Sequence, residues 1–144
     1  NTSSTARKSE RYPKRLPGID FEAGVRKLGR NLRVYTKLLR QFGEDYEKLG
    51  DRVVEALEAE DFKTAGDLVH GIKGVAGNLS TTRLFDASTE LDLAIKAKNK
   101  ALIPELAREF CESIEQVIDS IDTYLIGEDN PLFTSLSDKR NEKF

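Results

Sequence analysis

From Asp20 onward, apolar residues recur every three or four positions, and polar or charged residues fill the intervals. Asp20 stands where an N-cap is needed for a short helix carrying Phe21, Val25 and Leu28, which Gly29 ends. Leu32, Tyr35, Leu39, Phe42, Tyr46, Leu49, Val53 and Ala56 then form one stripe along a long helix. Gly43 and Gly50 lie within that stripe and predict a kink or break there. Asp61 caps the next helix, whose stripe is Phe62, Ala65, Leu68, Val69, Ile72, Val75, Ala76 and Leu79. Ser80 or Thr81 caps another, with Leu84, Ala87, Leu91, Ala94 and Ile95 facing inward. Lys98–Asn99–Lys100 reads as a turn. A last helix carries Ile103, Leu106, Phe110, Ile114, Val117, Ile121 and Tyr124, and Gly127 is expected to stop it. Pro104 falls in its first turn, where a missing N–H costs little. No segment alternates with period two. The expected fold is all-α: an antiparallel four-helix bundle with a short N-terminal covering helix.

The bundle is expected to occupy residues 19–126, with a linker or disordered leader over 1–18 and an irregular tail over 127–144. The leader is rich in Ser, Thr, Arg and Lys and carries Pro13, Pro17 and Gly18. Its basic residues Arg7, Lys8, Arg11, Lys14 and Arg15 read as a solvated tether, in preference to a nucleic-acid or membrane site.

Composition narrows the function classes. The 144 residues suit one domain with a sizeable core. A net charge of −2 and a pI near 5.6 lack the broad basic footprint of a nucleic-acid binder. No apolar run approaches the roughly 18 residues that span a bilayer. The first residues have no apolar core, so they are no signal peptide. Methionine is absent, even at position 1, which suggests a fragment of a longer protein or a processed chain. One cysteine, Cys111, allows no internal disulfide and fits a reducing compartment. With one Cys and one His, no Cys/His zinc site can be assembled, and no acidic loop has calcium-ligand spacing, so no metal site is expected.

His70 is what bundle architecture leaves unexplained. At about 100° per residue it points roughly 160° away from the centre of its helix's apolar arc. Gly66, Gly74 and Gly77 lie within about 40° of the same direction, and Gly71 is adjacent in sequence. Each glycine inside a helix costs about 1 kcal/mol relative to alanine. Three or four therefore give up roughly 3–4 kcal/mol, a large share of a domain's stability of about 5–15 kcal/mol. Bare backbone around one imidazole suggests that something bulky must approach it. Lys73, one turn on and about 60° round, can bring its ammonium alongside the ring, where it would pair with a phosphorylated imidazole. Geometry alone leaves alternatives open: an ordinary surface histidine, or a glycine face that binds a partner helix with His70 incidental. A hydrolytic or metal enzyme is disfavoured by the lack of a convergent polar cluster.

The segment His70-Gly71-Ile72-Lys73-Gly74-Val75-Ala76-Gly77-Asn78-Leu79 resembles the H-x-x-K-G-x-x-G-like signature of histidine-containing phosphotransfer (HPt) domains. The stretch LPGIDFEAGVRKLG is similar to the family's leading helix, and the likeness runs from about Leu16 to Leu125. Val69 before the histidine and Gly66 four before it depart mildly from the usual pattern.

The resemblance implies a phosphocarrier, not an ATP-binding enzyme. His70 would accept a phosphoryl group at Nε2 from a receiver-domain aspartate and pass it to another. Lys73 would stabilise the phosphorylated form, and Gly74 and Gly77 would clear space for the receiver. Gly66, Lys63 and Asp67 would line the docking surface. The expected partners are response-regulator receiver domains, which bring their own Mg²⁺, so no cofactor is expected on this chain. The expected setting is a cytoplasmic, monomeric domain, the C-terminal module of a hybrid sensor histidine kinase, with a free-standing carrier as the alternative.

Overall fold

The computed structural model describes residues 16–129. The expected leader, apart from 16–18, and the tail from 130 lie outside the described residues. Six helices follow one another: α1 Phe21–Lys27, α2 Leu32–Tyr46, α3 Leu49–Glu58, α4 Phe62–Asn78, α5 Thr82–Lys96 and α6 Ile103–Asp129. No strand occurs among the described residues. The broken pair α2/α3 counts as one rod of a four-helix bundle. Going round it, α3 packs on α4, α4 on α5, α5 on α6, and α6 on α2 and α3.

The helix ends explain how such short connections work. Arg30, Glu60, Ser80 and Lys98 all take a positive φ, of 65°, 58°, 62° and 53°. In the last three cases the next residue donates its N–H back five residues: Asp61 to Ala56, Thr81 to Ala76 and Asn99 to Ala94, at 2.8–3.0 Å. This closes the helix end and points the chain straight into the next cap. Asp61 Oδ1 then accepts from the Thr64 N–H at 3.1 Å. Thr81 stands at the N-cap of α5, but its hydroxyl donates to the Ala76 carbonyl instead of capping.

The core is built from the expected stripes. Tyr35, Leu39 and Phe42 of α2, Val53 of α3, Val69 and Ile72 of α4, Leu84 and Leu91 of α5, and Phe110, Val117 and Ile121 of α6 are all essentially inaccessible. Each such side chain contributes roughly 1.5–3 kcal/mol of burial. Helix α1 covers one end: Phe21 meets Tyr35 edge-on at 5.0 Å, and the Tyr35 hydroxyl donates to the Leu79 carbonyl at 2.7 Å. Gly24 makes that approach possible, because a Cβ there would overlap the Tyr35 ring.

Three expectations are corrected. The long helix does break, but at Glu47–Lys48; Gly43 and Gly50 stay helical. Gly50 serves packing instead, since a Cβ there would lie 3.3 Å from Cys111 Sγ. Gly127 does not stop the last helix, which runs on to Asp129, because nothing crowds that face and no proline follows at once. The linker does not extend to 18: Leu16 is buried, and the Pro17 carbonyl accepts from the Ser120 hydroxyl at 2.6 Å.

Candidate functional site

Helix α4 presents His70 on its outer side, with 70% of the side chain exposed, while Ala65, Val69, Ile72 and Ala76 fill the core behind it. Across from it stands α5, running antiparallel. Gly66 faces Ile95, His70 faces Asp92, and Gly77 faces Phe85. Asp92 is the residue that reading one helix at a time misses. Its carboxylate is only 4% exposed, and Oδ2 lies 3.8 Å from His70 Nδ1. The same oxygen lies 3.3 Å from Lys96 Nζ, one turn further along α5. The other oxygen, Oδ1, is buried without a hydrogen-bond partner. A signal was available: His70 and Asp92 stand ten residues before and twelve after Ser80, the turn between two antiparallel helices.

The four glycines divide into two kinds. A Cβ added at Gly71 or Gly74 would meet nothing within 4 Å, so the backbone beside His70 is open. At Gly66 it would make ordinary contact with Ile95 at 3.5 Å, and at Gly77 it would press on the Phe85 ring at 3.3 Å. Gly66 and Gly77 therefore let α5 come close, in place of the open clearance expected at Gly77. Gly77 is also tied to α1, since Lys27 Nζ donates to its carbonyl at 2.7 Å.

Lys73 is half-buried, on the His70 side, and forms no ion pair among the described residues. Lys63 and Asp67 lie a turn or two before His70, exposed and paired with each other at 3.0 Å. They edge a groove of about 720 Å³ that runs past His70 to Ile95 and Lys96. Among the described residues no three His, Cys, Asp or Glu side chains cluster to hold a metal ion.

A second hollow, of about 540 Å³, opens between α3 and α6 and is lined by Val54, Leu57, Phe62, Ile103, Ala107 and Cys111. Burial pushes the Cys111 thiol above its usual range, so it is not an activated nucleophile. The candidate surface is thus an exposed imidazole with a buried carboxylate on one side and open backbone beside it.

The model of the Hpt domain family matches residues 37–130 of the 144-residue chain, well over half of it. The chain belongs to the Hpt domain family. No curated protein and no solved structure matches it. Hpt domains carry phosphoryl groups on a histidine in two-component phosphorelays and work with response-regulator receiver domains. The match spans all but the first residues of the bundle's first rod through α6, and so includes every residue of the surface just described except Lys27. In this Hpt domain no helix among the described residues is long and apolar enough to cross a membrane.

Proposed function

We propose that His70 is the phosphoryl carrier of this Hpt domain, taking the group from one receiver aspartate and passing it to another. The observation that carries this reading is the ring's setting. His70 is the only histidine, it is exposed, and its Nδ1 faces a buried carboxylate, which leaves Nε2 on the far side of the ring. A proton on Nδ1 is favoured beside Asp92, and this is the tautomer in which Nε2 holds the free electron pair.

In the forward step the Nε2 pair attacks phosphorus, the bond from phosphorus to the receiver's carboxylate oxygen breaks, and the aspartate leaves as carboxylate. The ring keeps its Nδ1 proton and gains positive character, which Asp92 offsets. The return step reverses these events on a second receiver. Phosphoryl transfer of this kind asks mainly for alignment and for stabilisation of spread negative charge. Lys73 supplies a cation on this side, and the receiver supplies the divalent metal. Open backbone at Gly71 and Gly74 gives the receiver its approach; Gly66 and Gly77 act indirectly, by letting α5 bring Asp92 into place. Lys63 and Asp67 edge the docking surface. The setting proposed is the cytoplasm, as a monomeric module of a hybrid sensor kinase.

The test follows label through the relay. A receiver phosphorylated in the presence of Mg²⁺ should pass its label to the domain, and the re-isolated domain should pass it to a second receiver. Label that reaches a His70→Gln variant, or that never leaves the parent domain for any receiver, contradicts the reading.

A further inference from the structure

The two contacts at Asp92 have a consequence for when His70 can react. His70 Nδ1 and Lys96 Nζ approach the same oxygen, Oδ2, at 3.8 and 3.3 Å, and Oδ1 has no partner. A carboxylate buried to this degree needs a cation. Without Lys96 the nearest proton source would be the imidazole itself, and an imidazolium has no free electron pair with which to attack phosphorus. We propose that Lys96 is a positioning residue: it occupies the charge of Asp92, so that this carboxylate orients the His70 ring without holding it protonated.

The other charged groups around the ring do not replace Lys96. On α4, Lys63 and Asp67 pair with each other at 3.0 Å, and Lys73 has no acid partner among the described residues. On α5, only Asp92 and Lys96 face the ring, and Lys98 lies beyond, exposed, at the end of the groove. Glu60 and Asp61 line the same end; Glu60 pairs with Lys100 at 3.3 Å, and Asp61 caps α4.

The inference rests on the carrier reading only for its biological use, and its first test is independent of phosphate. Because the chain has one histidine, ethoxyformylation by diethyl pyrocarbonate, followed by its ultraviolet absorbance, reads the neutral imidazole of His70 alone. Rates are compared for the parent, Lys96→Gln and Lys96→Arg across pH. The parent should react faster than Lys96→Gln by roughly two- to fivefold near pH 6, the range expected for one partly exposed ion pair, with no difference above about pH 8.5. Lys96→Arg should behave as the parent. In an Asp92→Asn background, Lys96→Gln should have no effect on the pH profile.

A parent-to-variant ratio that is constant across pH, or one that persists without the Asp92 charge, overturns the proposal. The same pH-dependent ratio should appear in phosphorylation by a labelled receiver. If ethoxyformylation behaves as expected while no receiver labels the parent, the carrier reading fails and the role of Lys96 stands.

Discussion

Position 74 separates stability from function most cleanly. A Cβ built on Gly74 meets nothing within 4 Å, and the position is exposed in the fourth turn of a 17-residue helix. Gly74→Ala should therefore realise the full helix-propensity gain of about 1 kcal/mol, worth roughly 3–5 °C in melting temperature for a domain of this size. Gly74→Gln should gain slightly less, about 0.5 kcal/mol, since glutamine is a somewhat poorer helix former. It would also raise a long side chain one turn, about 5 Å, from the His70 ring. The expected pair of outcomes for Gly74→Gln is a melting temperature equal to or above the parent's and receiver-dependent phosphorylation reduced severalfold or more. Gly77→Ala is the matched control. Its Cβ would sit 3.3 Å from Phe85, so the ring must give way and the stability gain should be smaller than at Gly74. Thermal unfolding and transfer from a phosphorylated receiver measure the two halves. If Gly74→Gln unfolds the domain, Gly74 is a packing residue; if it is stable and transfers normally, the receiver does not approach over this face. Either result refutes the clearance argument.

Lys73→Ala should leave the unfolding free energy within about 0.5 kcal/mol of the parent's and shorten the lifetime of the phosphorylated form, because a nearby cation is lost; an unchanged lifetime removes Lys73 from the site. Tyr35→Phe should cost about 1–3 kcal/mol in denaturant unfolding, since the Leu79 carbonyl at the end of α4 loses its buried donor. The Arg83 guanidinium, bound to both oxygens of Glu109 at 2.8 and 2.9 Å, holds the Glu109 carboxyl below the usual carboxylate range. Such a lowered group contributes stability at pH above its unfolded titration range, lost as the pH falls through its lower folded value. Both side chains are more than a third exposed, so the contribution is under about 1 kcal/mol. Arg83→Gln should therefore lower stability near neutrality slightly and flatten its loss in acid; identical acid profiles would show that the pair contributes nothing.

The helices were legible in the sequence because burial imposes a periodicity that can be counted. Every residue that is fully buried in α4, from Ala65 to Ala76, belongs to the stripe read from spacing. Their ends were less legible. Glycine reads in the sequence as the sign of a stop or break, yet Glu60, Ser80 and Lys98 adopt the positive φ that ends α3, α4 and α5. Hydrogen bonds reaching back five residues, and the caps that follow, stabilise a conformation these residues disfavour by roughly 1–2 kcal/mol. Gly43 and Gly50 meanwhile remain in helices, where Gly50 makes room for Cys111. At the site, His70 and its open backbone follow from one helix's angular arithmetic. Asp92 and Lys96 do not, because they belong to another helix and meet His70 only through the register of the antiparallel pair. The same register turns Gly77 from a clearance residue into a packing one.

The central claim is that the phosphoryl group resides on Nε2 of His70. Phosphorus NMR of the domain after incubation with a phosphorylated receiver tests it most directly, read with proton–nitrogen correlation of the imidazole. The parent should show one phosphoramidate resonance, lost on acidification and kept in alkali, with the ring phosphorylated at Nε2 and protonated at Nδ1. A phosphoramidate resonance that survives in His70→Gln, an acyl- or ester-phosphate signal in its place, or phosphorylation at Nδ1 would contradict the account.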